Sequence, residues 1–280
     1  MSTTAHAVKL KKYGPHQRPS KCKPRIARPV LGSPFLTHLS LKEEKIQRGV
    51  HPFTLPLLER DDFELNFTTP VTFLVGENGS GKSTLLEAIA WALGFNAQGG
   101  SRDNSYAEGA DGHPLGRALK LSWRQRVTDG FFLRAETFFN FATYLEDVGS
   151  PFTAYGGKSL HDQSHGEAFL ALFENRVEDG MYLLDEPEAA LSPGRQLTFL
   201  SILHQLASMK VAQFIIATHS PILLTLPGAT VLSIEEGRFR EVNYRDTEHF
   251  QLTRDFLNAP ERYHRHLFRS ESAEDDSGNA

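Results

Sequence analysis

The sequence predicts an α/β fold in which helices flank a mostly parallel sheet. One observation is a strand–loop–helix order: apolar residues 71–75 indicate a buried strand, a glycine-rich loop follows, and residues 85–93 indicate a helix. A second observation is the pair of short apolar runs Met181–Leu184 and Phe214–Ala217, which helical segments separate. Strands that are covered on both faces of a parallel sheet have this continuously apolar character. All three runs are therefore predicted to belong to one sheet.

Periodicity and turn signals predict the remaining elements. Residues 35–41 and 63–67 alternate between apolar and polar side chains, which indicates half-buried strands of an antiparallel N-terminal part. The Asp-Gly turn at 129–130 separates the alternating residues 119–123 from the apolar residues 131–133 and predicts a hairpin. Helices are predicted at 140–148, 165–178, 247–257 and 261–268, a second hairpin at 230–234 and 238–242, and exposed loops at 95–115 and 149–157.

Composition narrows the class of protein. A hydrophobic content of 40% and a charged content of 23% are ordinary for a soluble globular chain. The formal net charge of −4 gives no whole-chain reason to bind nucleic acid, so such a role would need a local basic patch. The single cysteine, Cys22, cannot form an internal disulfide, and no secretory signal is present, so we expect a reducing, cytoplasmic location. No apolar run approaches the roughly 20 residues of a membrane-spanning helix, so no intrinsic membrane segment is expected.

The two ends differ from the folded part. Residues 1–34 form a predicted disordered leader that carries eight lysines and arginines, no acidic residue and several prolines. This leader is either a solvated tail or an arm that contacts a nucleic-acid backbone or a protein partner. Residues 35–245 are predicted to form one domain, and the two helices within 246–270 are expected to pack on it. Residues 271–280 are a short acidic tail.

The loop that follows the first buried strand has the pattern of a phosphate-binding loop. Its backbone N–H groups, together with the N-terminus of the next helix, can surround phosphate oxygens. Lys82 would reach the β- and γ-phosphates, and the Ser83 hydroxyl would bind Mg²⁺. The alternative, a chance glycine-rich turn, does not account for the flanking strand and helix. We therefore expect ATP or GTP binding, with contacts from Gly76, Asn78, Gly79, Ser80, Gly81, Lys82, Ser83 and Thr84.

Two further polar groups follow buried strands. Asp185 and Glu186 end the strand that begins near Met181, so both reach the carboxyl edge of the sheet. Asp185 would hold Mg²⁺, and Glu186 would orient and deprotonate the attacking water; the alternative is a strand end with two solvated acids. His219 follows the next strand, where it either hydrogen-bonds a γ-phosphate or has a plain structural role.

A fourth motif, Ser164-His165-Gly166-Glu167, begins the helix that precedes the acidic pair. Ser164 and Glu167 have the spacing of a capping box, which needs no ligand. A helix N-terminus with a free hydroxyl and an unhindered glycine is also an anion site. Ser164, Gly166 and Glu167 are therefore candidate nucleotide contacts as well as candidate caps.

In this order the motifs resemble those of the ATP-binding-cassette (ABC) ATPases. Residues 76–84 look like the Walker A loop, residues 164–167 like the signature motif and residues 183–186 like Walker B; residues 189–192 look like the D-loop and His219 like the switch histidine. The Ser-x-Gly-Glu signature is similar to that of the soluble, non-transporter branch, and the chain most resembles the compact stand-alone ABC-like ATPases predicted in bacteria. The resemblance implies a P-loop NTPase fold of ABC type, with a small helical lobe at about 138–180 that carries the signature.

The resemblance also implies a mechanism. Two subunits of such ATPases enclose two ATP molecules head to tail, so Ser164 and Gly166 would act on ATP bound by the other subunit, with ATP and Mg²⁺ as cofactors. Two departures leave parts of this pattern open. Ser192 ends the D-loop where relatives often carry Asp, and no Q-loop glutamine is evident: Gln125 lies in the predicted hairpin, and Glu136 is nearer the family position.

Three functions remain open from the sequence. The leading hypothesis is an ATP hydrolase whose dimerisation acts on an unidentified partner; the soluble branch and the basic leader favour a DNA-related role, whereas the folded part shows no helix-turn-helix, zinc knuckle or clustered basic stripe. The alternatives are a nucleotide-binding subunit of a membrane transporter and a non-hydrolysing ATP sensor. His249, His264 and His266 are interpreted as surface or interface residues.

Overall fold

A six-stranded sheet is the centre of the fold that the computed structural model describes. The described residues are 32–96, 113–138, 164–177 and 179–268. Several predictions fall outside these ranges: nearly all of the basic leader, most of the loop at 95–115, the helix at 140–148, the loop at 149–157 and the acidic tail. Of the predicted helical lobe, the described part consists chiefly of the helix that begins at His165.

Most of the strands and helices predicted within these ranges are found close to their predicted positions. The strands are β1 (Leu36–Leu41), β2 (Glu64–Asn66), β3 (Val71–Val75), β4 (Leu119–Trp123), β5 (Gly130–Arg134), β6 (Gly180–Asp185), β7 (Ala212–Ala217), β8 (Thr230–Glu235) and β9 (Arg238–Glu241). The helices are α1 (Pro56–Glu59), α2 (Lys82–Leu93), α3 (Pro114–Ala118), α4 (His165–Arg176), α5 (Pro193–Met209), α6 (Glu248–Asn258) and α7 (Pro260–Leu267).

The strands form two sheets. The large sheet has the order β5-β6-β7-β3-β8-β9, and its neighbouring strands are parallel except for the antiparallel pair β8–β9. This arrangement confirms the predicted mostly parallel sheet and the predicted hairpin at residues 230–242. The small sheet has the order β2-β1-β4 and is antiparallel, as predicted for the N-terminal part.

Gln213 joins the two sheets. Its side chain is fully buried on β7, where its Oε1 accepts the backbone N–H groups of Phe35 (2.7 Å) and Leu36 (2.8 Å). Its Nε2 donates to the carbonyl oxygen of Leu36 (2.9 Å). One amide side chain therefore satisfies three backbone groups at the start of β1, where unpaired groups would be costly to bury.

The hairpin predicted around the Asp-Gly turn at 129–130 is wrong. β4 pairs with β1 in the small sheet, whereas β5 pairs in parallel with β6 in the large sheet. Gly130 is the first residue of β5 and has a φ of 130°, and a Cβ built on it would lie 1.8 Å from the carbonyl oxygen of Met181. The glycine is needed for this close approach of two strands rather than for a two-residue turn.

Apolar side chains cover both faces of the large sheet. On one face Phe73 packs in a cluster with Phe169 of α4 and Phe199 of α5. On the other face Leu74 packs in a cluster with Ile89 of α2 and with the inner side of the small sheet. Burial on both faces is the physical reason for the continuous apolar runs from which β3, β6 and β7 were predicted.

The C-terminal helices contact the domain near the start of α6. Thr247, the residue before α6, is buried, and its hydroxyl donates to the carbonyl oxygen of Tyr244 (2.6 Å). Neither α6 nor α7 has a buried residue, and Leu257 and Phe268 are more than two-thirds exposed. In the part of the chain that the structure describes, no helix has the length and apolar character needed to cross a membrane.

Candidate functional site

Three neighbouring strands of the large sheet deliver the candidate residues to one edge. β6, β7 and β3 are adjacent and parallel, so their carboxyl ends lie side by side. The glycine-rich loop follows β3. Asp185 is the last residue of β6, and Glu186 comes directly after it. His219 lies just after the end of β7. This edge of a parallel sheet is where α/β proteins commonly bind ligands.

The loop between β3 and α2 has the backbone that its glycines allow. Gly76, Gly79 and Gly81 have φ values of 153°, 81° and 99°, which fall in the region that L side chains rarely adopt. A Cβ on Gly76 would also lie 3.2 Å from the carbonyl oxygen of Ile234 in β8. Gly81 precedes the first residue of α2, so the loop opens directly onto a helix N-terminus.

Polar groups within the loop fit a phosphate ligand. The Lys82 side chain is 5% exposed, and its Nζ donates to the carbonyl oxygens of Gly76 (2.7 Å) and Glu77 (2.9 Å). Burial lowers the pKa of Lys82, although Glu186 and Asp185 oppose the shift. The hydroxyl of Ser80 is buried and has no hydrogen-bond partner within the described structure. A buried cation and an unpaired hydroxyl inside a glycine-rich loop are suited to an oxyanion.

Ser83 and Asp185 form the candidate metal pair. The Ser83 hydroxyl donates to Oδ1 of Asp185 over 3.0 Å, across the gap between the loop helix and β6. Burial raises the pKa of Asp185 to about 6, although Arg134 and Ser83 oppose the shift. A hydroxyl and a carboxylate are hard oxygen ligands of the kind that Mg²⁺ takes together with substrate phosphates.

Arg134 is a neighbour of this pair that the sequence did not single out. It is paired with Asp185 by the β5–β6 register, and its Nε lies 3.3 Å from Oδ2 of Asp185. Its Nη1 lies 2.6 Å from Oε1 of Glu87 on α2. The guanidinium of Arg134 therefore contacts the carboxylates of both Asp185 and Glu87. Glu136, which lies nearer the family position of the Q-loop glutamine, is exposed.

Glu186 and His219 face each other across the end of β6 and β7. Glu186 has a left-handed backbone with a φ of 50°, and its side chain is 45% exposed. One of its carboxylate oxygens, Oε1, lies 3.7 Å from Nε2 of His219. Burial lowers the pKa of His219, with further lowering by Lys82 and His249. A neutral imidazole beside an accessible carboxylate is an arrangement suited to proton transfer and to hydrogen bonding of a phosphate.

Glu188 and His249 hold His219 in place, and neither was predicted. Oε1 of Glu188 accepts the backbone N–H of His219 (2.6 Å), and its Oε2 accepts the hydroxyl of Thr218 (2.8 Å). Nε2 of His249, which comes from α6, lies 2.6 Å from Nδ1 of His219. His249 was interpreted as a surface or interface residue; it is half-buried, and α6 brings it to His219 from 30 residues away in sequence.

The motif at residues 164–167 packs against α5 and the segment before it. The carboxylate of Glu167 accepts the backbone N–H (3.0 Å) and the hydroxyl (2.7 Å) of Ser164, and so forms the predicted capping box. Gly166 is buried, and a Cβ on it would lie 2.6 Å from Cδ of Arg195 and 3.2 Å from the carbonyl oxygen of Ala190. Gly166 thus has a packing reason to be glycine.

A cavity of about 600 Å³ adjoins the glycine-rich loop. One wall is the loop from Gly76 to Ser80, and the facing wall is the β8–β9 turn at Glu236 and Gly237. The first residues of α6, including His249, also line it. The cavity therefore lies beside the loop and extends to α6, whose His249 contacts His219.

A second cavity, which we call the basic groove, lies beside α2, α3 and β4 and has a volume of about 630 Å³. Its lining combines five basic side chains with two tryptophans and includes no acidic residue among the described ones; these are Lys42, Lys45, Arg117, Lys120, Arg126, Trp91 and Trp123. The expectation that the folded part lacks a clustered basic surface is wrong, because these residues are scattered in sequence and converge only in the fold.

Comparison with protein families gives two matches that cover the two halves of the site. Residues 48–129 match a family described as "AAA domain", and residues 167–225 match one described as "AAA domain, putative AbiEii toxin, Type IV TA system". The first match spans the glycine-rich loop, and the second spans Asp185, Glu186 and His219. Together the two matches support an ABC-type P-loop ATPase. At the level of this family, ATP binding and hydrolysis are indicated.

Individual relatives of this ATPase are distant. The chromosome partition protein Smc of Halothermothrix orenii is 42% identical over 60 residues, which are 21% of this chain and only 4% of the length of that relative. The SMC head domain from Thermotoga maritima has a TM-score of 0.38 and 19% identity, covering 64% of this chain and 92% of that one. The structure of cbiO1 from Clostridium perfringens, part of the ABC transporter complex cbiONQ, has a TM-score of 0.41 and 18% identity, covering 73% and 90%.

Proposed function

We propose that this ATPase binds ATP with Mg²⁺, hydrolyses it at the edge formed by β3, β6 and β7, and couples hydrolysis to head-to-tail dimerisation that acts on a partner. One observation carries the hydrolysis: Ser83 and Asp185 are in hydrogen-bond contact while Glu186 and His219 face each other beside them. A pure binding site would not need an accessible carboxylate at this position.

The loop and Lys82 bind and orient the triphosphate in this proposal. The N–H groups of the loop and of the first turn of α2 surround the phosphates, and the helix dipole favours their negative charge. Lys82 exchanges its present backbone partners, the carbonyl oxygens of Gly76 and Glu77, for phosphate oxygens. Phosphate oxygens are charged, so they stabilise the buried Lys82 cation better than its two neutral carbonyl partners do.

Ser83 and Asp185 hold the metal. When bound, Mg²⁺ neutralises charge on the β- and γ-phosphate oxygens. The Ser83 hydroxyl would turn from Asp185 to the metal, and the Asp185 carboxylate would hold the metal directly or through water. Arg134 keeps the carboxylate of Asp185 in position through its 3.3 Å contact.

Glu186 and His219 act on the attacking water and the γ-phosphate. The carboxylate of Glu186 is nearly half exposed, so it can accept a proton from a water molecule next to the phosphate. The His219 Nε2 donates a hydrogen bond to a γ-phosphate oxygen. Glu188 fixes the backbone of His219 through its 2.6 Å hydrogen bond, so that this donor is placed before the substrate arrives.

Head-to-tail dimerisation places Ser164, Gly166 and Glu167 opposite the nucleotide of the second subunit. Their position in one chain supports the proposal: Ser164 and His165 are exposed at the N-terminus of a 12-residue helix, where a positive dipole end meets solvent. ATP between the subunits would then favour the dimer by mass action, and hydrolysis would release it.

Hydrolysis is tested by comparing wild type, Glu186→Gln and the control Glu174→Gln at one protein concentration. Glu174 is an exposed acid on α4, so its change controls for lost surface charge. We expect Glu186→Gln to lower kcat by about 10²–10⁴ without weakening ATP binding, because only the proton acceptor is removed. Equal turnover by wild type and Glu186→Gln would refute the role of Glu186, and wild-type binding without any turnover would favour the ATP-sensor alternative.

The dimer is tested by sedimentation of Glu186→Gln with and without ATP and Mg²⁺. The slow variant should accumulate the ATP-bound dimer, so its mass should double on adding nucleotide. Ser164→Arg is the matched variant, because a bulky cation at the exposed helix start would obstruct the facing subunit without changing the loop. A nucleotide-bound monomer at all concentrations, with Ser164→Arg hydrolysing at the wild-type rate, would refute head-to-tail dimerisation.

The basic groove favours single-stranded nucleic acid as the partner. The five cations that line the groove attract a polyanion, and such binding weakens steeply with salt. Trp91 is 37% exposed, and Trp123 lines the groove partly buried against the core. Stacking of a base on an accessible aromatic side chain contributes roughly 1–3 kcal/mol. A duplex keeps its bases stacked internally, so the tryptophans favour a single strand.

This partner is tested by fluorescence anisotropy with a labelled oligothymidylate and with a duplex of equal length. The variant Lys120→Glu/Arg126→Glu reverses two groove charges, and Arg262→Glu/Arg265→Glu on α7 is the control with the same change in net charge. We expect the groove variant to bind the single strand at least tenfold more weakly, and the control to bind it like wild type. Equal weakening by both double variants would show that net charge alone is responsible and would contradict the groove.

A further inference from the structure

The C-terminal helices reach the site through the contact between His219 and His249. Nε2 of His249 lies 2.6 Å from Nδ1 of His219, and the ring centroids are 4.6 Å apart at an angle of 53°. At this distance one nitrogen must donate a proton and the other must accept it. The direction of this hydrogen bond decides which nitrogen of His219 carries its proton.

The surroundings of His219 select one direction. Its Nε2 is buried, makes no hydrogen bond with the described residues, and lies 3.7 Å from Oε1 of Glu186. If His219 donated through Nδ1, an unprotonated Nε2 would face this carboxylate, and two lone-pair groups would repel each other. If His249 donates instead, an N–H faces the carboxylate, which is the favourable arrangement.

The start of α6 fixes His249 strongly enough for this role. Thr247 is 6% exposed, and its hydroxyl donates to Tyr244 (2.6 Å). Tyr244 packs against the core of the large sheet, and its ring contacts Phe250 edge to face, with centroids 5.2 Å apart. His249 thus lies between two anchored residues, although the remainder of α6 is largely exposed.

We propose that His249 is a positioning residue, whose Nε2–H donates to Nδ1 of His219 and so keeps the proton of His219 on Nε2, on the side of Glu186. The inference rests on the proposed hydrolysis at the same site, because only a protonated Nε2 can donate to a γ-phosphate oxygen. This hydrogen bond connects the C-terminal helices to the reaction. A displacement of α6 would remove His249, the partner that sets the tautomer and the ring orientation of His219.

The proposal predicts an effect on turnover rather than on nucleotide binding. His249→Phe keeps an aromatic ring but has no N–H, so it should lower kcat about tenfold and leave KM for ATP within about twofold. His249→Gln can place an amide N–H near the position of the imidazole Nε2–H and should restore most of the rate. His266→Phe, the same change at an exposed histidine of α7, is the control and should hydrolyse ATP like wild type.

The tautomer itself is measured by NMR of the full-length protein labelled with ¹⁵N in its histidine rings, with His219→Asn used to assign the signals of His219. We expect a protonated Nε2 and an unprotonated Nδ1 in wild type and in His249→Gln, and a mixture of tautomers in His249→Phe. Thermal unfolding of each variant checks that the fold is intact.

Two results would overturn the proposal. The first is a His219 of wild type protonated on Nδ1 alone, which means that His219 donates to His249. The second is a folded His249→Phe with wild-type kcat or with unchanged signals of His219. The ring signals decide the direction of the hydrogen bond even if wild type does not hydrolyse ATP, so failure of the proposed function would be recognised separately from failure of this inference.

Discussion

Replacement of Gln213 by leucine tests the join between the two sheets. The side chain is 0% exposed and hydrogen-bonds two backbone N–H groups and one carbonyl oxygen at the start of β1. Leucine has a similar volume but no polar atom, so all three backbone groups would lose their partner in a buried place. An unsatisfied buried polar group costs about 1–3 kcal/mol. Because the three groups are neighbours and can relax together, we expect a loss of roughly 3–5 kcal/mol in the free energy of unfolding.

A loss of this size is a large part of the total stability of a typical domain, about 5–15 kcal/mol. It is measured by denaturant unfolding of Gln213→Leu, with Gln205→Leu on the exposed side of α5 as the matched control. Amide hydrogen exchange provides a local measurement, because the N–H groups of Phe35 and Leu36 should lose their protection first. A change below about 1 kcal/mol, or unchanged exchange at both amides, would refute the reasoning.

Three further substitutions test other contacts. Glu188→Ala removes the acceptor of the His219 N–H and should lower both Tm and kcat. Glu188→Gln should lower them less, because burial raises the pKa of Glu188 and a neutral side chain avoids the cost of a buried charge. Equal effects of the two variants in scanning calorimetry and ATPase assays would contradict this. Gly130→Ala should destabilise the chain by about 3 kcal/mol or more, because its Cβ would lie 1.8 Å from the carbonyl oxygen of Met181; wild-type unfolding of this variant would contradict the β5–β6 geometry. Gly166→Ala should cost only about 1 kcal/mol in stability, because its closest neighbour is a flexible arginine, yet abolish hydrolysis if the residue faces a second subunit; retained hydrolysis would assign the glycine to packing alone.

Local sequence patterns predicted the elements that local chemistry decides. The glycines of residues 76–81 are required by their own backbone angles, and burial on both faces explains the apolar runs Met181–Leu184 in β6 and Phe214–Ala217 in β7. The motif residues Asp185 and His219 were found because each lies at or just after the end of such a strand. In these cases the physical cause acts within a few residues of the pattern, so the pattern is sufficient.

The wrong or missing predictions have a different origin, because contacts between residues far apart in sequence determine the structure at these places. The Asp-Gly turn at 129–130 favours a hairpin locally, but the strands on either side pair with β1 and β6. Arg134, Glu188 and His249 meet the site from β5, from the turn after β6 and from α6, and no local spacing relates them. The basic groove was missed for the same reason, because its cations converge from residues 42 to 126 only after folding.

The central claim is that the residues at the carboxyl edge of β3, β6 and β7 hydrolyse ATP in a head-to-tail dimer. Its most direct test is steady-state ATP hydrolysis with Mg²⁺ over a wide range of protein concentration, with Glu186→Gln measured alongside. The account predicts a specific activity that rises with concentration to a plateau, and a Glu186→Gln variant that stays about a hundredfold or more slower at every concentration. A constant specific activity would contradict the dimer, and equal turnover by the two proteins would contradict the role of Glu186.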